Sequence, residues 1–178
     1  INGIQWIRIL YCYPEEITDE LIQVIKEEDK ICKYLDLPIQ HASDAILKRM
    51  GRRTSKAQLV EIVEKLREEI PETALRTTLI TGFPGETAEQ HEELMEFVDM
   101  MEFDRLGVFT YSPEEDTPAA TMPDQIEESV KEDRQADLME LQQEIAFELA
   151  EDMVGKEVLV MIEGKVADEN AYVGRTYK

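Results

Sequence analysis

The sequence lacks a long apolar run and has few cysteines. No stretch of its 178 residues approaches the roughly 18 to 20 apolar residues that cross a bilayer, and the first residues show no basic-then-apolar signal pattern. Two cysteines, Cys12 and Cys32, are too few for a disulfide framework, and their spacing is not typical of a metal site. We therefore expect a soluble, cytoplasmic protein with no membrane partner and no metal ligands in this chain.

Positive charge is also scarce. The chain has 19 lysine and arginine residues against 40 aspartate and glutamate residues, which gives a formal net charge of −21. Nucleic-acid binding derives its affinity from cations that neutralise phosphates, so a nucleic-acid partner is disfavoured. A basic protein partner would be attracted to such a surface. Because acidity also serves solubility alone, charge supports a functional assignment without carrying one.

Strand-like and helical segments alternate along the chain. Runs of β-branched and aromatic residues predict buried strands at residues 4–11, 34–40, 75–81 and 105–111. The helical segments between them are predicted to begin at four N-cap residues, Thr18, Ser43, Ser55 and Thr87. The last two open capping boxes. Because this alternation requires parallel crossover connections, the sequence predicts an α/β fold with a parallel sheet, as in part of a barrel.

A long helix and a short β segment follow a proline-rich loop. The helix is predicted over residues 124–154, with an apolar stripe formed by Val130, Leu138, Leu141, Ile145 and Leu149. Residues 156–162 and 171–177 are typical of strands. Because two strands are too few to bury a core of their own, we expect one domain over residues 1–154 and the start of a small β domain over residues 155–178.

The loops that follow the predicted strands carry polar, aromatic or glycine residues. In parallel sheets and barrels, ligands bind at the carboxyl ends of the strands because these loops converge there. The four loops begin at Tyr11, Gln40, Gly82 and Tyr111. Gln40 adjoins His41, so an amide that can bond hydroxyl groups lies beside an imidazole that can hold a proton. The pattern predicts one pocket built from several loops.

The strand predicted over residues 75–81 places a cation among apolar residues. Period-two alternation puts Arg76, Thr78 and Ile80 on one face. An arginine that faces a barrel interior needs an anionic partner, because isolated buried charge is costly. That partner is either a carboxylate of a ligand or Asp36, and the residues alone leave both possibilities open.

The loop after this strand contains two glycines and a carboxylate. Gly82 and Gly85 permit a tight turn whose amides approach a ligand closely. Glu86 either stabilises the start of the next helix through the helix dipole or meets a ligand hydroxyl or amine. No lysine or arginine lies in this loop, and the nucleotide-binding glycine spacings are absent. Nucleotide phosphate binding is therefore disfavoured.

Several motifs in this order closely resemble the radical S-adenosylmethionine (SAM) methylthiotransferase family. They are LPIQHAS at residues 37–43, LKRM at 47–50, LRTTLITGFPGET at 75–87 and FTYSP at 109–113. Within the family, YSPEEDTP at residues 111–118 and LQQ at 141–143 resemble the branch that modifies an aspartate of a small-subunit ribosomal protein, the RimO type. The similarity extends over nearly the whole chain.

The resemblance implies the later part of a TIM-like, partial radical SAM β/α barrel, followed from Gly155 by the start of a TRAM-like β domain. It also implies cofactor-binding roles for Gln40, Arg76, Thr78, Ile80, Gly82, Gly85 and Glu86. Gln40 would bond the ribose, Arg76 or a neighbour the methionine carboxylate, and Ile80 with the glycine loop the adenine. His41 and Tyr111 are implied to lie near the reacting centre and are the candidate catalytic residues.

The cofactors implied by the resemblance are SAM and [4Fe-4S] clusters. A 5′-deoxyadenosyl radical would abstract a hydrogen from the aspartate β-carbon before methylthio transfer. The CxxxCxxC motif that holds the family's catalytic cluster is absent from this sequence, and Cys12 and Cys32 cannot replace it. We therefore expect the cluster ligands to lie in a longer parent protein and expect this chain alone to be inactive.

Three other interpretations of the function remain open. A sister group of the family methylthiolates tRNA adenosine, but the acidic composition favours a basic ribosomal protein as substrate. The chain could instead be a non-catalytic acidic module that binds a basic protein. An aldolase-like barrel is ranked last, because no Schiff-base lysine lies at a strand end. An exposed edge of the sheet would also allow oligomerisation.

Overall fold

Three strands form one parallel sheet in the computed structural model, which describes residues 2–178. These strands are β1 (Tyr34–Asp36), β2 (Ala74–Thr81) and β3 (Arg105–Thr110), in the order β1-β2-β3. Both neighbouring pairs are parallel. The predicted α/β class with a parallel sheet is confirmed.

Five helices follow the predicted order: α1 (Asp19–Glu27), α2 (Asp44–Arg49), α3 (Lys56–Glu69), α4 (Ala88–Met101) and α5 (Glu128–Glu151). Local capping explains where several of them begin. The Thr18 side chain accepts a hydrogen bond from the Leu21 amide, and both predicted capping boxes, at Ser55 and Thr87, are formed. Ser43 precedes α2 as predicted, although its side chain makes no capping bond.

The two faces of β2 differ in burial. Leu75, Thr77, Leu79 and Thr81 are buried, whereas Arg76 is exposed and Thr78 and Ile80 are partly exposed. The buried face joins the main apolar core, to which α3 and α4 contribute Leu59, Val63, Leu66, Leu94, Phe97 and Val98. The predicted alternation along this strand is therefore confirmed, and the polar face is the one available to a ligand.

The strand predicted at residues 34–40 is shorter than expected. β1 ends at Asp36, and only an isolated bridge between Gln40 and Leu79 continues the pairing. Pro38 lies between these two points and has no amide hydrogen to donate, so the ladder is interrupted there.

The strand predicted at residues 4–11 is wrong. Ile7 makes one isolated parallel bridge with Ile31, and Ile4, Ile7 and Leu10 are all exposed. Its main chain meets the neighbouring segment only at separate points, with the Ile7 amide donating to the Lys30 carbonyl and the Cys12 amide to the Asp36 carbonyl, so no continuous ladder forms among the described residues. Apolar composition predicted burial, but it does not specify which neighbour covers the segment.

α5 packs along β3 and ties to its main chain. Gln135 donates to the carbonyl of Val108 at 2.6 Å, and Gln142 donates to that of Phe103 at 2.8 Å. Leu138 and Ile145 are buried as predicted, but Val130 is 38% exposed and Lys131 is buried in its place. The helix starts at Glu128 and ends at Glu151, so it is shorter at both ends than predicted.

An antiparallel hairpin closes the described chain. It consists of β4 (Met161–Lys165) and β5 (Tyr172–Arg175). The strand predicted over residues 156–162 begins later because pairing runs back from the turn only as far as Met161, which lies opposite Arg175. The assignment of residues 155–178 to a separate β domain stays a prediction. Across residues 2–178, the helices are too short or too polar to span a bilayer.

Candidate cofactor site at the carboxyl ends of the strands

Gln40 is held at the end of the sheet by its own main chain. Its amide donates to the carbonyl of Thr78 at 2.9 Å, and its carbonyl accepts from the amide of Ile80 at 2.8 Å. Its φ is +73°, which is a left-handed backbone conformation. The Gln40 Oε1 atom is buried and has no hydrogen-bond partner within residues 2–178. A buried acceptor of this kind is stabilised by a donor from a ligand.

His41 lies behind Gln40, fully buried. Its Nδ1 atom accepts a hydrogen bond from the Ser43 amide at 2.9 Å, so in the neutral ring the hydrogen resides on Nε2. Nε2 faces Oε2 of Glu86 at 3.6 Å. The contacts of His41 are therefore with the protein interior, and its predicted catalytic role stays a prediction.

Glu86 joins two strand-end loops and one helix. Its Oε2 atom accepts from the amides of Gly82 at 2.7 Å and Phe83 at 3.3 Å. Arg134 of α5 donates to its Oε1 atom at 2.9 Å and to its main-chain carbonyl at 3.1 Å. The carboxylate is fully buried. It is therefore the common acceptor of groups from the β2 loop and α5, with His41 of the β1 loop beside it.

Charge and hydrogen bonding keep Glu86 ionised despite its burial. Burial alone would raise its pKa, but His41, Arg134 and the Gly82 amide together hold the pKa below its ordinary value. Both carboxylate oxygens have protein partners. Those contacts favour a role in holding the loop, and contact between Glu86 and a ligand stays a prediction.

The glycines of the loop are required by backbone geometry and close packing. Gly82 and Gly85 have φ values of +71° and +81°. A Cβ atom on Gly82 would overlap the Lys131 side chain, and one on Gly85 would overlap Arg49. The Gly85 amide donates to the Asp124 carbonyl at 2.8 Å. These amides thus have acceptors within the chain, and cofactor contact through either glycine stays a prediction.

Tyr111 directly follows β3 and lies beside this loop. Its ring packs edge-on against Phe83, with centroids 5.1 Å apart. Lys131 donates to its main-chain carbonyl at 2.9 Å. The Tyr111 hydroxyl is buried and has no partner within the described residues. Gln40 and Tyr111 therefore leave one unsatisfied polar atom each at the ends of the two strands that flank β2.

Arg76 stands apart from that group, near the start of β2. Its register partners are Asp36 and Arg105, and its Nη1 atom lies 3.7 Å from Oδ2 of Asp36. The Arg76 side chain is 45% exposed, so its ion pair with Asp36 is weak and the guanidinium stays accessible. Ile80 lies four residues further along the same face, about 13 Å away at the usual rise of a strand. Thr78 is half-buried between them.

The "Radical SAM superfamily" sequence model matches residues 2–98, more than half of the chain. The chain belongs to the radical SAM superfamily. Among its relatives, the "Ribosomal protein uS12 methylthiotransferase RimO" of Lachnoclostridium phytofermentans is 68% identical over 99% of this chain. The protein of the same name from Clostridium botulinum is 53% identical over 100% of it. The chain spans about 40% of the length of each of these curated relatives.

Solved structures support the same radical SAM fold. Coproporphyrinogen III oxidase (HemN) of Escherichia coli, a radical SAM enzyme, aligns over 85% of this chain and 34% of its own, with a TM-score of 0.57 and 22% identity. Elp3 of Methanocaldococcus infernus aligns over 77% of this chain and 32% of its own, with the same TM-score and 14% identity. At these identities the likeness shows the fold alone, and it confirms the predicted partial radical SAM barrel.

Of the two radical SAM cofactors, the described residues fit SAM but not a [4Fe-4S] cluster. The unpaired Gln40 Oε1 and the half-exposed Ile80 suit the hydroxyls and base of a nucleoside such as that of SAM. A [4Fe-4S] cluster does not fit: within residues 2–178 no three histidine, cysteine or acidic side chains converge. Burial raises the pKa of both Cys12 and Cys32, which opposes the thiolate form that binds iron.

Sequence patterns did not single out Arg134 or Lys131. Both lie on α5. Arg134 contacts Glu86, 48 residues earlier in the chain, and Lys131 contacts Gly82, 49 residues earlier. A signal was present, because Lys131 precedes Leu138 by seven residues and Ile145 by fourteen, which places it on the buried stripe of the helix. A lysine at such a position predicts a buried partner for its ammonium group.

Proposed function

We propose that this chain is the barrel part of a radical SAM methylthiotransferase that adds a methylthio group to the β-carbon of an aspartate in ribosomal protein uS12. The observation that carries the proposal is the 68% identity, over 99% of the chain, to a protein named for that activity. The strand-end motifs that form the candidate site lie within this span. A cytoplasmic location follows from a ribosomal substrate.

In this proposal, SAM bound with a reduced [4Fe-4S] cluster held by residues outside this chain supplies the radical chemistry. Gln40 accepts a hydrogen bond from a ribose hydroxyl through its unpaired Oε1. Ile80, Gly82 and Gly85 line the base, and Thr78 lies beside them on the open side of β2. Arg76 meets the methionine carboxylate, since its link to Asp36 is long and exposed.

The reacting groups need exclusion of water and fixed orientation. Tyr111 is 8% exposed and lies at the end of β3, so its hydroxyl is available to orient a substrate or cofactor group in a dry environment. His41 acts indirectly, because its two ring nitrogens face Ser43 and Glu86. Glu86 accordingly holds the loop that carries Gly82 and Phe83.

Charge supports a basic protein over RNA as the substrate. The formal net charge of −21 repels a phosphate backbone and attracts a ribosomal protein rich in lysine and arginine. Methylthiolation of tRNA adenosine is the second candidate, because it uses the same barrel. No contact within residues 2–178 specifically favours the tRNA reaction.

The test is an assay of the full-length protein, reconstituted with iron and sulfide without oxygen. It is supplied with SAM, a reductant, a sulfur donor and either uS12 or tRNA. Mass spectrometry is expected to find one methylthio group on an aspartate of uS12 and none on tRNA. Modification of tRNA alone would reject the proposed substrate. Failure to cleave SAM under reducing conditions would reject the proposed activity.

A further inference from the structure

We infer that Arg134 of α5 is a positioning residue that sets the affinity of the site for SAM by holding Glu86 in place. The inference rests on the proposed function only in taking the ends of β1, β2 and β3 as the SAM site. Among the described residues, Glu86 is the one candidate ligand-binding residue to which Arg134 donates a hydrogen bond. Its effect must therefore pass through that carboxylate.

The guanidinium of Arg134 fixes Glu86 at two points. One nitrogen, Nη1, donates to Oε1 at 2.9 Å and to the main-chain carbonyl at 3.1 Å. The Arg134 side chain is 11% exposed, and the Glu86 side chain is fully buried. Charge-assisted hydrogen bonds that are shielded from water are stronger than exposed ones. Both the side chain and the backbone of Glu86 are thereby held against α5.

Glu86 transmits this restraint to the loops. Its other oxygen accepts from the Gly82 and Phe83 amides, which sets the path of the chain directly after β2. The same oxygen faces His41, the residue that follows Gln40. Phe83 in turn packs against Tyr111. One guanidinium thus restrains the turns at the ends of all three strands.

Lys131 provides a parallel restraint one turn earlier on α5. Its Nζ atom donates to the Tyr111 carbonyl at 2.9 Å, and its methylene chain packs over Gly82. The Lys131 side chain is 6% exposed. α5 therefore contacts the ends of both β2 and β3 through the buried cations Lys131 and Arg134. A shift of the helix would move the loops that follow these two strands together.

Loss of the Arg134 guanidinium leaves the Glu86 carboxylate buried without its charge partner. Such a carboxylate takes up a proton or turns toward water, and either change weakens its bonds to the Gly82 and Phe83 amides. The loop then samples positions that do not fit the cofactor. Because the reacting groups are unchanged, the cost appears in binding of SAM and leaves the chemical step unaffected.

The experiment measures reductive cleavage of SAM to 5′-deoxyadenosine by the reconstituted full-length enzyme, with no protein or RNA substrate added. Arg134→Gln is expected to raise KM for SAM about tenfold while kcat stays within about twofold, an indirect effect about as large as one charge-assisted hydrogen bond. Arg134→Lys keeps the charge and an ammonium group that can still donate to Glu86, so its KM is expected to lie between those of the native enzyme and Arg134→Gln.

Arg67→Gln is the matched control. Arg67 also donates to main-chain carbonyls, those of Met101 and Glu102, but it lies on α3 away from the strand ends. Its loss is expected to lower the melting temperature without changing KM for SAM. An unchanged KM in Arg134→Gln, or an equal rise in Arg67→Gln, would overturn the inference alone. No cleavage by the unaltered enzyme would instead reject the proposed function.

Discussion

The Nε2 atom of His41 lies 3.6 Å from Oε2 of Glu86, and both side chains are fully buried. His41 belongs to the loop after β1, and Glu86 belongs to the loop after β2. Because Nδ1 of His41 accepts from Ser43, the hydrogen of the neutral ring points toward the carboxylate. The His41–Glu86 pair therefore connects two loops of the candidate site through the buried interior of the protein.

Glu86→Gln is expected to destabilise the protein by about 3 to 5 kcal/mol, because it leaves the largely buried Arg134 without a counter-charge. Both carboxylate oxygens accept, one from the Gly82 amide and the other from Arg134, so the amide nitrogen of glutamine would face one of these two donors. Urea unfolding of the full-length protein measures the loss, and hydrogen exchange of the Gly82 amide is expected to accelerate. The control is Glu128→Gln, since Glu128 pairs with Lys131 but is 62% exposed and should contribute less than about 1 kcal/mol. Equal losses in the two variants would contradict the prediction.

The depressed pKa of Glu86 predicts how that loss depends on pH. A carboxyl whose pKa is lower in the folded state contributes stability above its unfolded pKa, about 4.3, and loses it as the pH falls through the folded value. The difference in free energy of unfolding between the native protein and Glu86→Gln should be constant near neutrality and shrink below about pH 4. Urea titrations at a series of pH values measure it. A difference that grows on acidification would show that the charged form is not the stabilised one.

Local features of the fold were predictable from the sequence. The capping boxes at Ser55 and Thr87 depend on residues three apart, so composition over one helical turn predicts them. The two faces of β2 also follow from period-two alternation. The prediction for residues 4–11 was wrong because the segment forms only one isolated bridge, from Ile7 to Ile31, and a local pattern carries no information about such distant pairing.

The candidate site was predicted in part. Gln40 and Tyr111 were placed at strand ends from the alternation of elements, and the structure adds that each leaves a buried polar atom unpaired. The Arg134–Glu86 contact joins residues 48 positions apart and depends on how α5 packs across the sheet. No short-range pattern encodes that packing, so the sequence suggested two roles for Glu86 and omitted its partner.

Alanine substitutions at the two loop glycines should have unequal effects. Both positions have positive φ, which costs an alanine about 1 kcal/mol. At Gly82 the new Cβ also meets the middle of the Lys131 side chain, which is buried and bonded to Tyr111, whereas at Gly85 it meets the guanidinium end of Arg49. Gly82→Ala should therefore be more destabilising than Gly85→Ala by about 1 to 3 kcal/mol. Thermal and urea unfolding of the full-length protein compare them, and equal costs would show that Lys131 moves aside freely.

Gln40→Asn withdraws the unpaired amide oxygen from the end of β1 and keeps a residue type that tolerates positive φ. If Oε1 accepts a ribose hydroxyl, the dissociation constant of SAM should rise about five- to tenfold, the value of one buried hydrogen bond. Equilibrium dialysis of labelled SAM against the reconstituted full-length enzyme measures this change. Gln23→Asn, on the exposed side of α1, is the matched control and should leave the constant unaltered. If Gln40→Asn bound SAM as tightly as the native enzyme, the ribose would have to lie away from the Gln40 amide oxygen, which would contradict the proposed role of that unpaired atom.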